Sequence, residues 1–143
     1  MFLAKARKTR GGAMLELALL SPWIIMLFIG ALDWGFYGYS LITLENAARA
    51  AVLYTSQKTA NASDTTTTCT ILLNEMSTLP NMGTVTTCNS SPLVLSLSSP
   101  NGPDGASASQ VSVTYTTPAM IPIPGLLAKQ FTITRTVKMR IAS

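Results

Sequence analysis

The sequence predicts an α+β protein, in which a long membrane-spanning N-terminal helix is followed by a small antiparallel sheet in an exported domain. Three observations lead to this prediction. Residues 13–32 are apolar apart from Glu16, the C-terminal half contains short runs of alternating apolar and polar residues, and both cysteines follow the apolar segment. Charged residues make up only 11% of the 143 residues, which is about half of the usual share for a soluble domain.

The apolar segment is long enough to cross a membrane. Residues 13–32 rise about 30 Å as a helix, which is the thickness of the hydrocarbon core of a bilayer. The basic residues that account for the net charge of +4 all precede it and are Lys5, Arg7, Lys8 and Arg10. The positive-inside rule therefore places this end of the helix in the cytoplasm. The aromatic residues expected at the opposite bilayer interface are Trp34, Phe36, Tyr37 and Tyr39.

A cleaved secretory signal peptide would also combine a basic segment with an apolar segment. The apolar run here is longer than is typical of a signal peptide. The small-residue site Ala48-Arg49-Ala50, where a signal peptidase could cut, lies far downstream of the run. Both features favour a retained span, and a cleaved signal remains the alternative.

The helix is predicted to continue to about Tyr54, because Leu41, Leu44 and Ala48 recur at helical spacing. Pro22 is expected to bend the helix or to loosen one turn. The polar, threonine-rich stretch after the helix is predicted to be a loop or linker. The resulting segments are a basic leader (1–11), a helix (12–57, with the span at 13–32 and an exported part at 33–57), a linker (58–68) and a small exported α+β domain (69–143).

The last segment is predicted to contain a short helix that ends before Pro80, followed by four strands. The strands are expected around residues 85–88, 93–97, 111–115 and 131–141, with a turn at 98–105. Only Arg135 interrupts the apolar face of the last strand, and the exported part of the helix is the natural cover for that face. Cys69 and Cys88 are expected to form a disulfide if this segment is exported, and to be free thiols otherwise.

Several kinds of chemistry lack the residues that they need. The chain has no histidine, which excludes a Ser-His-Asp triad, a histidine general base and a histidine-ligated zinc site. The acids form no evident pair, the glycines form no phosphate-binding loop, and the basic residues form no stripe of the kind that binds nucleic acid. We therefore expect a structural or interaction role, with no enzymatic activity, cofactor, metal site or nucleic-acid partner.

Glu16 needs an explanation, because a charged carboxylate inside a bilayer is costly unless it is paired. In one interpretation, Glu16 lies near the cytoplasmic interface and its side chain extends toward water. In the other, the chain is cut between Gly11 and Gly12, so that Glu16 becomes the fifth residue of the mature protein. Its carboxylate then pairs with the new α-amino group, preferably that of a neighbouring subunit, and registers the packing of the helices.

The segment Arg10-Gly11-Gly12-Ala13-Met14-Leu15-Glu16-Leu17 resembles the prepilin processing motif of type IV pilin-like proteins. More specifically, the chain resembles the TadE-like minor pilins, or pseudopilins, of the tight adherence (Flp pilus) system. Asp33-Trp34-Gly35-Phe36 and Glu45-Asn46-Ala47-Ala48-Arg49-Ala50-Ala51 are similar to the aromatic and alanine-rich segments of that family. The C-terminal run from "VSVTY" to "VKMR" resembles the family's strand, proline-rich turn and final strand.

Two details qualify the match of the processing motif. Leu17 stands where the family commonly carries an aromatic residue. The second glycine would also permit a cut after Gly12, but a cut after Gly11 keeps Glu16 at the fifth mature position, and we expect that one.

The resemblance implies a pilin-like fold and a prepilin that a membrane-embedded aspartic prepilin peptidase cleaves at the cytoplasmic face of the bacterial inner membrane. The partners that it implies are other pilin or pseudopilin subunits, the inner-membrane pilus assembly platform and the lipid bilayer. The mature protein would join, prime or cap a pilus that mediates adherence or secretion.

Two further groups of residues are candidates for subunit contact. Ala31, Gly35 and Gly38 form a small-residue face that would allow close helix packing, although such residues are also ordinary in membrane helices. Met120, Ile121 and Ile123 in "PAMIPIPG" are either an exposed contact loop or a cover for an open sheet edge.

Two other roles are open besides that of a processed minor pilin. An uncleaved, helix-anchored envelope protein that acts as a periplasmic scaffold of a secretion or pilus machine would have the same topology. An exported soluble domain is the third possibility.

Overall fold

The computed structural model describes residues 10–119 and 130–142. Its elements are, in chain order, α1 (Arg10–Thr55), a 3-10 helix (Thr59–Ser63), α2 (Thr65–Glu75), β1 (Asn89–Ser90), β2 (Leu93–Ser98), β3 (Ala108–Thr116) and β4 (Thr132–Arg140). The chain divides into two compact units, an N-terminal unit (Met1–Gly35) and a C-terminal unit (Phe36–Ser143). The predicted α+β class is confirmed.

Helix α1 has bounds close to those predicted and continues through Pro22. In the N-terminal unit, consecutive large apolar side chains are exposed on every side of the helix, which is the pattern of a helix that faces lipid. Among the described residues, α1 is the one helix that is long and apolar enough to cross a membrane, with a mean hydropathy of 2.1 in its most apolar window. The bend at Pro22 stays a prediction.

In the C-terminal unit, α1 buries a narrow stripe of small residues against the sheet. The stripe follows the i, i+3, i+4, i+7, i+8 pattern of one helix face and consists of Leu44, Ala47, Ala48, Ala51 and Val52. These side chains share one core cluster with residues of β2, β3 and β4. The helix therefore covers the sheet, as the sequence predicted.

The sheet is an antiparallel meander with the strand order β1-β2-β3-β4. The strands predicted around residues 93–97, 111–115 and 131–141 are confirmed as β2, β3 and β4. Alternate residues of β3 point toward α1 and are buried, namely Ser109, Val111, Val113 and Tyr115. The opposite face carries paired hydroxyl groups, including Thr114 with Thr134 at 2.9 Å.

The strand predicted at residues 85–88 is wrong, because the first strand is β1 and covers only Asn89–Ser90. The Val85 N–H donates to the carbonyl of Met82 in a turn, and Cys88 is bound to α2 through a disulfide. The Val85 N–H is therefore used in a turn, and it is not free to pair with a neighbouring strand.

The loop or linker predicted at residues 58–68 is also wrong in its secondary structure, because the 3-10 helix and the first turn of α2 lie there. Asp64 is the N-cap of α2, and its carboxylate accepts a hydrogen bond from the Thr67 N–H at 3.1 Å. The Tyr54 hydroxyl donates to the same carboxylate at 2.8 Å. Hydrogen bonds from Thr67, which have the largest effect, and from Tyr54 hold the pKa of Asp64 below its ordinary value. The cap explains why α2 begins before the apolar residues that predicted it.

The turn predicted at residues 98–105 is confirmed, and it connects β2 to β3. The Gly102 N–H donates to the carbonyl of Ala106 at 2.7 Å, and Asn101 forms an isolated bridge with Ser107. Gly105 has a φ of 77°, a conformation that costs glycine little because it has no Cβ.

The Cys69–Cys88 disulfide joins α2 to the residue before β1. Cys88 is buried and Cys69 packs against the same core cluster. Leu72 and Met76, from the end of α2 and the residue after it, complete this part of the core. The disulfide expected from the sequence is therefore present.

Replacing both cysteines with alanine should lower the free energy of unfolding of the C-terminal unit by about 3 kcal/mol, because the bridge restricts a loop of about twenty residues in the unfolded chain. Urea unfolding of the full chain in detergent micelles, followed by circular dichroism, measures the change. A reducing agent should destabilise the unmodified protein to the same extent and leave the double variant unchanged. Equal stability of the two proteins would contradict the prediction.

Tyr115 connects the centre of the sheet to the loop after α2. Its side chain is fully buried, and its hydroxyl donates to the carbonyl of Pro80 at 2.9 Å and to the side-chain oxygen of Asn81 at 3.1 Å. Asn81 in turn donates to the carbonyl of Thr116 at 3.4 Å. Burial raises the pKa of Tyr115 to about 12, because the phenolate form would lose its hydration.

The raised pKa of Tyr115 predicts a loss of stability in alkali. Folding favours the neutral phenol. The stability that this preference adds is complete below a pH of 10.0, the unfolded pKa, and is lost as the pH rises toward 12. Tyr115→Phe should flatten this alkaline decline and should also cost about 1–3 kcal/mol at neutral pH, since the Pro80 carbonyl loses its donor. Tyr39→Phe, which removes a half-exposed hydroxyl, is the matched control and should keep the decline. Thermal unfolding across this pH range decides the outcome.

Candidate functional site

The predicted processing site lies at the N-terminal end of the described part of α1, where Gly11 and Gly12 are both helical. Apart from the backbone of the helix itself, no described atom lies within 4 Å of the position that a Cβ of Gly12 would occupy. Glycine is about 1 kcal/mol less favourable than alanine in a helix interior. Two consecutive glycines therefore make this part of α1 easier to unwind than alanines would.

Glu16 lies one turn further along α1, among exposed apolar residues. Its side chain is exposed, and the structure gives it no hydrogen bond or ion pair with any residue in 12–119 or 130–142, whose side chains it describes. Met14, Leu15, Leu17, Leu19 and Leu20 surround it and are all more than half exposed. A carboxylate in such an apolar environment costs about 2.5–3.5 kcal/mol at mid-bilayer depth unless a cation meets it.

The small-residue face predicted on α1 offers space for a close neighbour. Ala31 and Gly35 are exposed in the N-terminal unit. No atom lies within 4 Å of a Cβ built at Gly35, and the same is true at Gly38, which belongs to the C-terminal unit. A role for these residues in helix packing stays a prediction.

Two of the aromatic residues expected at the bilayer interface make contacts inside the C-terminal unit. The ring of Tyr37 packs edge-on against Phe131, with the ring centroids 5.4 Å apart. The hydroxyls of Tyr39 and Thr78 are 2.8 Å apart. Trp34 is 73% exposed. The aromatic group therefore contributes to the fold of this unit as well as offering amphipathic rings to an interface.

Arg135, which interrupts the apolar face of β4, is paired with a residue of α1. The carboxylate of Glu45 lies 3.6 Å from the Nε atom of Arg135 and 3.2 Å from the Nη2 atom of Arg49. The Glu45–Arg49 pair was expected from the sequence, whereas the Arg135 pair joins residues far apart in the chain. All three side chains are more than a third exposed, so each pair contributes less than about 1 kcal/mol.

The remaining candidates give a mixed result. Within residues 10–119 and 130–142, no group of histidine, cysteine, aspartate or glutamate side chains could hold a metal ion. Cys69 and Cys88 form a disulfide instead. The proposed contact loop with Met120, Ile121 and Ile123 lies outside the described residues.

The long helix with Glu16 in its apolar segment and the disulfide-bonded α+β unit define a protein with one candidate membrane span among the described residues and a small sheet domain. The family model described as TadE-like protein matches residues 11–53, which confirms the resemblance to TadE-like proteins over this part of the chain. The match begins at the predicted processing site and ends within the C-terminal unit, before the cysteines. The match supports an association of this protein with the tight adherence pilus. No curated protein and no solved structure matches the chain.

Proposed function

We propose that this protein is a minor pilin of a tight adherence pilus, processed after Gly11 and assembled through the N-terminal part of α1. The observation that carries the proposal is the carboxylate of Glu16, which is exposed among apolar side chains and has no partner within the described residues. The TadE-like match over residues 11–53 supports it, because the match includes both glycines of the motif, Glu16 and the whole apolar segment.

Cleavage would explain how Glu16 is accommodated in a bilayer. Hydrolysis of the Gly11–Gly12 peptide bond leaves a new α-amino group on Gly12, which is protonated at neutral pH. The ammonium group of one subunit then pairs with the Glu16 carboxylate of its neighbour, so that neither charge is buried alone. Such a pair fixes the axial offset between adjacent helices, which is about 6 Å for the four residues that separate Gly12 from Glu16.

The two glycines at the cut favour access by a peptidase. A protease needs an extended substrate, and residues 11 and 12 are helical here. The two glycines make that turn easy to open. We infer that the leader (1–11) stays on the cytoplasmic face of the inner membrane, where a prepilin peptidase removes it, and that the domain containing the disulfide is periplasmic.

The proposed role needs no catalytic residue in this chain. Proteins of this pilin type are generally not enzymes, and the interactions that the role needs are with the peptidase, other pilin subunits, the assembly platform and the bilayer. The mature protein would contribute to pilus assembly and through it to adherence or secretion.

An uncleaved scaffold anchored by α1 is the second candidate. The observation that favours it is the continuous helix through Gly11 and Gly12, which presents no extended segment for cleavage. In that case Glu16 lies close to the cytoplasmic interface and needs no partner.

Processing predicts a defined mature N-terminus. Protein purified from the membrane of its native host should begin at Gly12 and should lack the four basic residues of the leader. Intact-mass measurement together with N-terminal sequencing checks this. Gly11→Val should block the cut, because it places a stiff β-branched side chain beside the scissile bond, where glycine has none, whereas Ala13→Val is the matched control and should still be cleaved. A mature chain that retains Lys5 to Arg10 would establish the scaffold instead.

Pairing of Glu16 predicts a specific assembly defect. Glu16→Gln keeps the size of the side chain but removes the charge, so incorporation into the pilus fraction should fall at least about tenfold while membrane insertion is unchanged. Glu75→Gln, which changes an exposed acid of α2, is the control and should assemble normally. Quantitative immunoblotting of membrane and sheared-pilus fractions measures both. Normal assembly of Glu16→Gln would show that this carboxylate only extends toward water.

A further inference from the structure

Strand β4 is the outer strand of the sheet and has one unpartnered edge. It is nine residues long and pairs with β3 on one side. Within residues 10–119 and 130–142, no other strand pairs with its second side. Long open edges are sites where a protein can add a strand from another chain, because they present a row of free N–H and C=O groups.

The hydrogen-bond pattern shows which residues of β4 face the open edge. Phe131 accepts from the Thr117 N–H at 2.9 Å, and the Ile141 N–H donates to Ser107 at 3.1 Å. In an antiparallel ladder, residues that bond to the neighbouring strand alternate with residues whose backbone groups point away. The odd-numbered residues of β4 therefore bond to β3. The N–H and C=O groups of the even-numbered residues point to the open edge, namely those of Thr132, Thr134, Thr136, Lys138 and Arg140.

The end of the edge shows that these outward groups can accept a partner. The Ala142 N–H follows the same alternation and points outward, and it donates to the carbonyl of Ser56 at 2.8 Å. The residue that follows α1 thus closes the edge just beyond Arg140. Between Thr132 and Arg140, the structure gives the outward groups no backbone partner among the described residues.

Two depressions lie beside this edge between the α1 side and β4, and together they are called the groove here. One has a volume of about 310 Å³ and is lined by Leu41, Ile42, Glu45, Asn46, Arg49 and Arg135. The other is lined by Leu53, Met139 and Arg140 among others. Ile42 is 64% exposed and Leu53 is 53% exposed, so the helix wall of the groove is partly apolar.

The edge and its groove carry an excess of positive charge. The four cations there are Arg49, Arg135, Lys138 and Arg140. Only two carboxylates face them. Glu45 is shared between Arg49 and Arg135, and Asp104 lies 3.3 Å from Arg140. Lys138 has no acidic partner within the described residues. The surface therefore favours an acidic ligand.

We propose that the open edge of β4 binds an extended acidic segment of a partner protein, which adds to the sheet as a fifth strand. Alternate side chains of that segment face the helix wall of the groove, where Ile42, Leu53 and Met139 favour apolar residues. The others lie on the opposite face near Lys138 and favour glutamate or aspartate. This inference concerns a different surface from the one formed by Glu16, and it does not depend on processing.

Three nine-residue fluorescent peptides test the proposal with the full chain in phosphatidylcholine nanodiscs. The first alternates valine and glutamate, the second alternates valine and lysine, and the third is the first with alternate backbone amides methylated. Fluorescence anisotropy should show that the acidic peptide binds at least about tenfold more tightly than the other two. Its affinity should fall as the salt concentration is raised from about 50 to about 300 mM. Nanodiscs without protein give the background.

Variants of β4 separate the backbone contribution from the charge. Thr136→Pro removes one outward N–H without touching the β3 ladder and should weaken the acidic peptide about three- to tenfold. Thr136→Val loses the same hydroxyl but keeps the N–H, so it should bind normally. Lys138→Gln should weaken binding about two- to fivefold. Asn74→Asp on α2 makes the same change in net charge away from β4 and should have no effect.

Several outcomes would overturn the proposal. They include equal binding of the acidic and basic peptides, an equal loss in Thr136→Val and Thr136→Pro, and no binding at all. Peptide-independent dimers joined by a Thr136→Cys disulfide would show that a second copy occupies the edge instead. Binding that appears only after residues 120–129 are replaced by a glycine-serine linker of the same length would show that the chain covers its own edge.

Discussion

The contact between the alanine-rich stripe of α1 and the sheet is the interaction on which the C-terminal unit depends. A sheet of four strands, one of them only two residues long, cannot bury its apolar face by itself. The short side chains of Ala47, Ala48 and Ala51 share one buried core cluster with Val111 and Val113 of β3. The same helix continues into the N-terminal unit, where its apolar residues are exposed. Helix α1 thus contributes to the core of the C-terminal unit and makes up the whole described part of the N-terminal unit.

Much of this arrangement could be predicted from the sequence, because its signals are local. The length and hydropathy of the segment before Leu32 indicate the apolar helix, and alternation along β3 and β4 indicates strands with one buried face. The count of two cysteines left one possible pairing within the chain. The positions of Gly11, Gly12 and Glu16 followed from a motif, and the structure places all three at the start of α1.

The errors occurred where distant residues override local preference. Threonine is a poor helix former, and nothing within the threonine-rich stretch shows that Tyr54 would support the Asp64 cap. The segment before β1 alternates like a strand, but the bond to Cys69 fixes its end. The partner of Glu16 could not be identified for another reason. If the partner is a group of a second subunit, the sequence and fold of a single chain do not contain its position.

The pair formed by Glu45 and Arg135 has a consequence for how β4 finds its place. A slide of β4 along β3 by two residues would preserve which side chains face the helix. Arg135 would then leave Glu45 and take the position of Ile133 or Val137, which pack into or against the core. A buried guanidinium without a carboxylate is costly, so the slipped alignments are disfavoured. A β4 with an uninterrupted apolar face would bury more apolar surface, but it would distinguish less well between alignments.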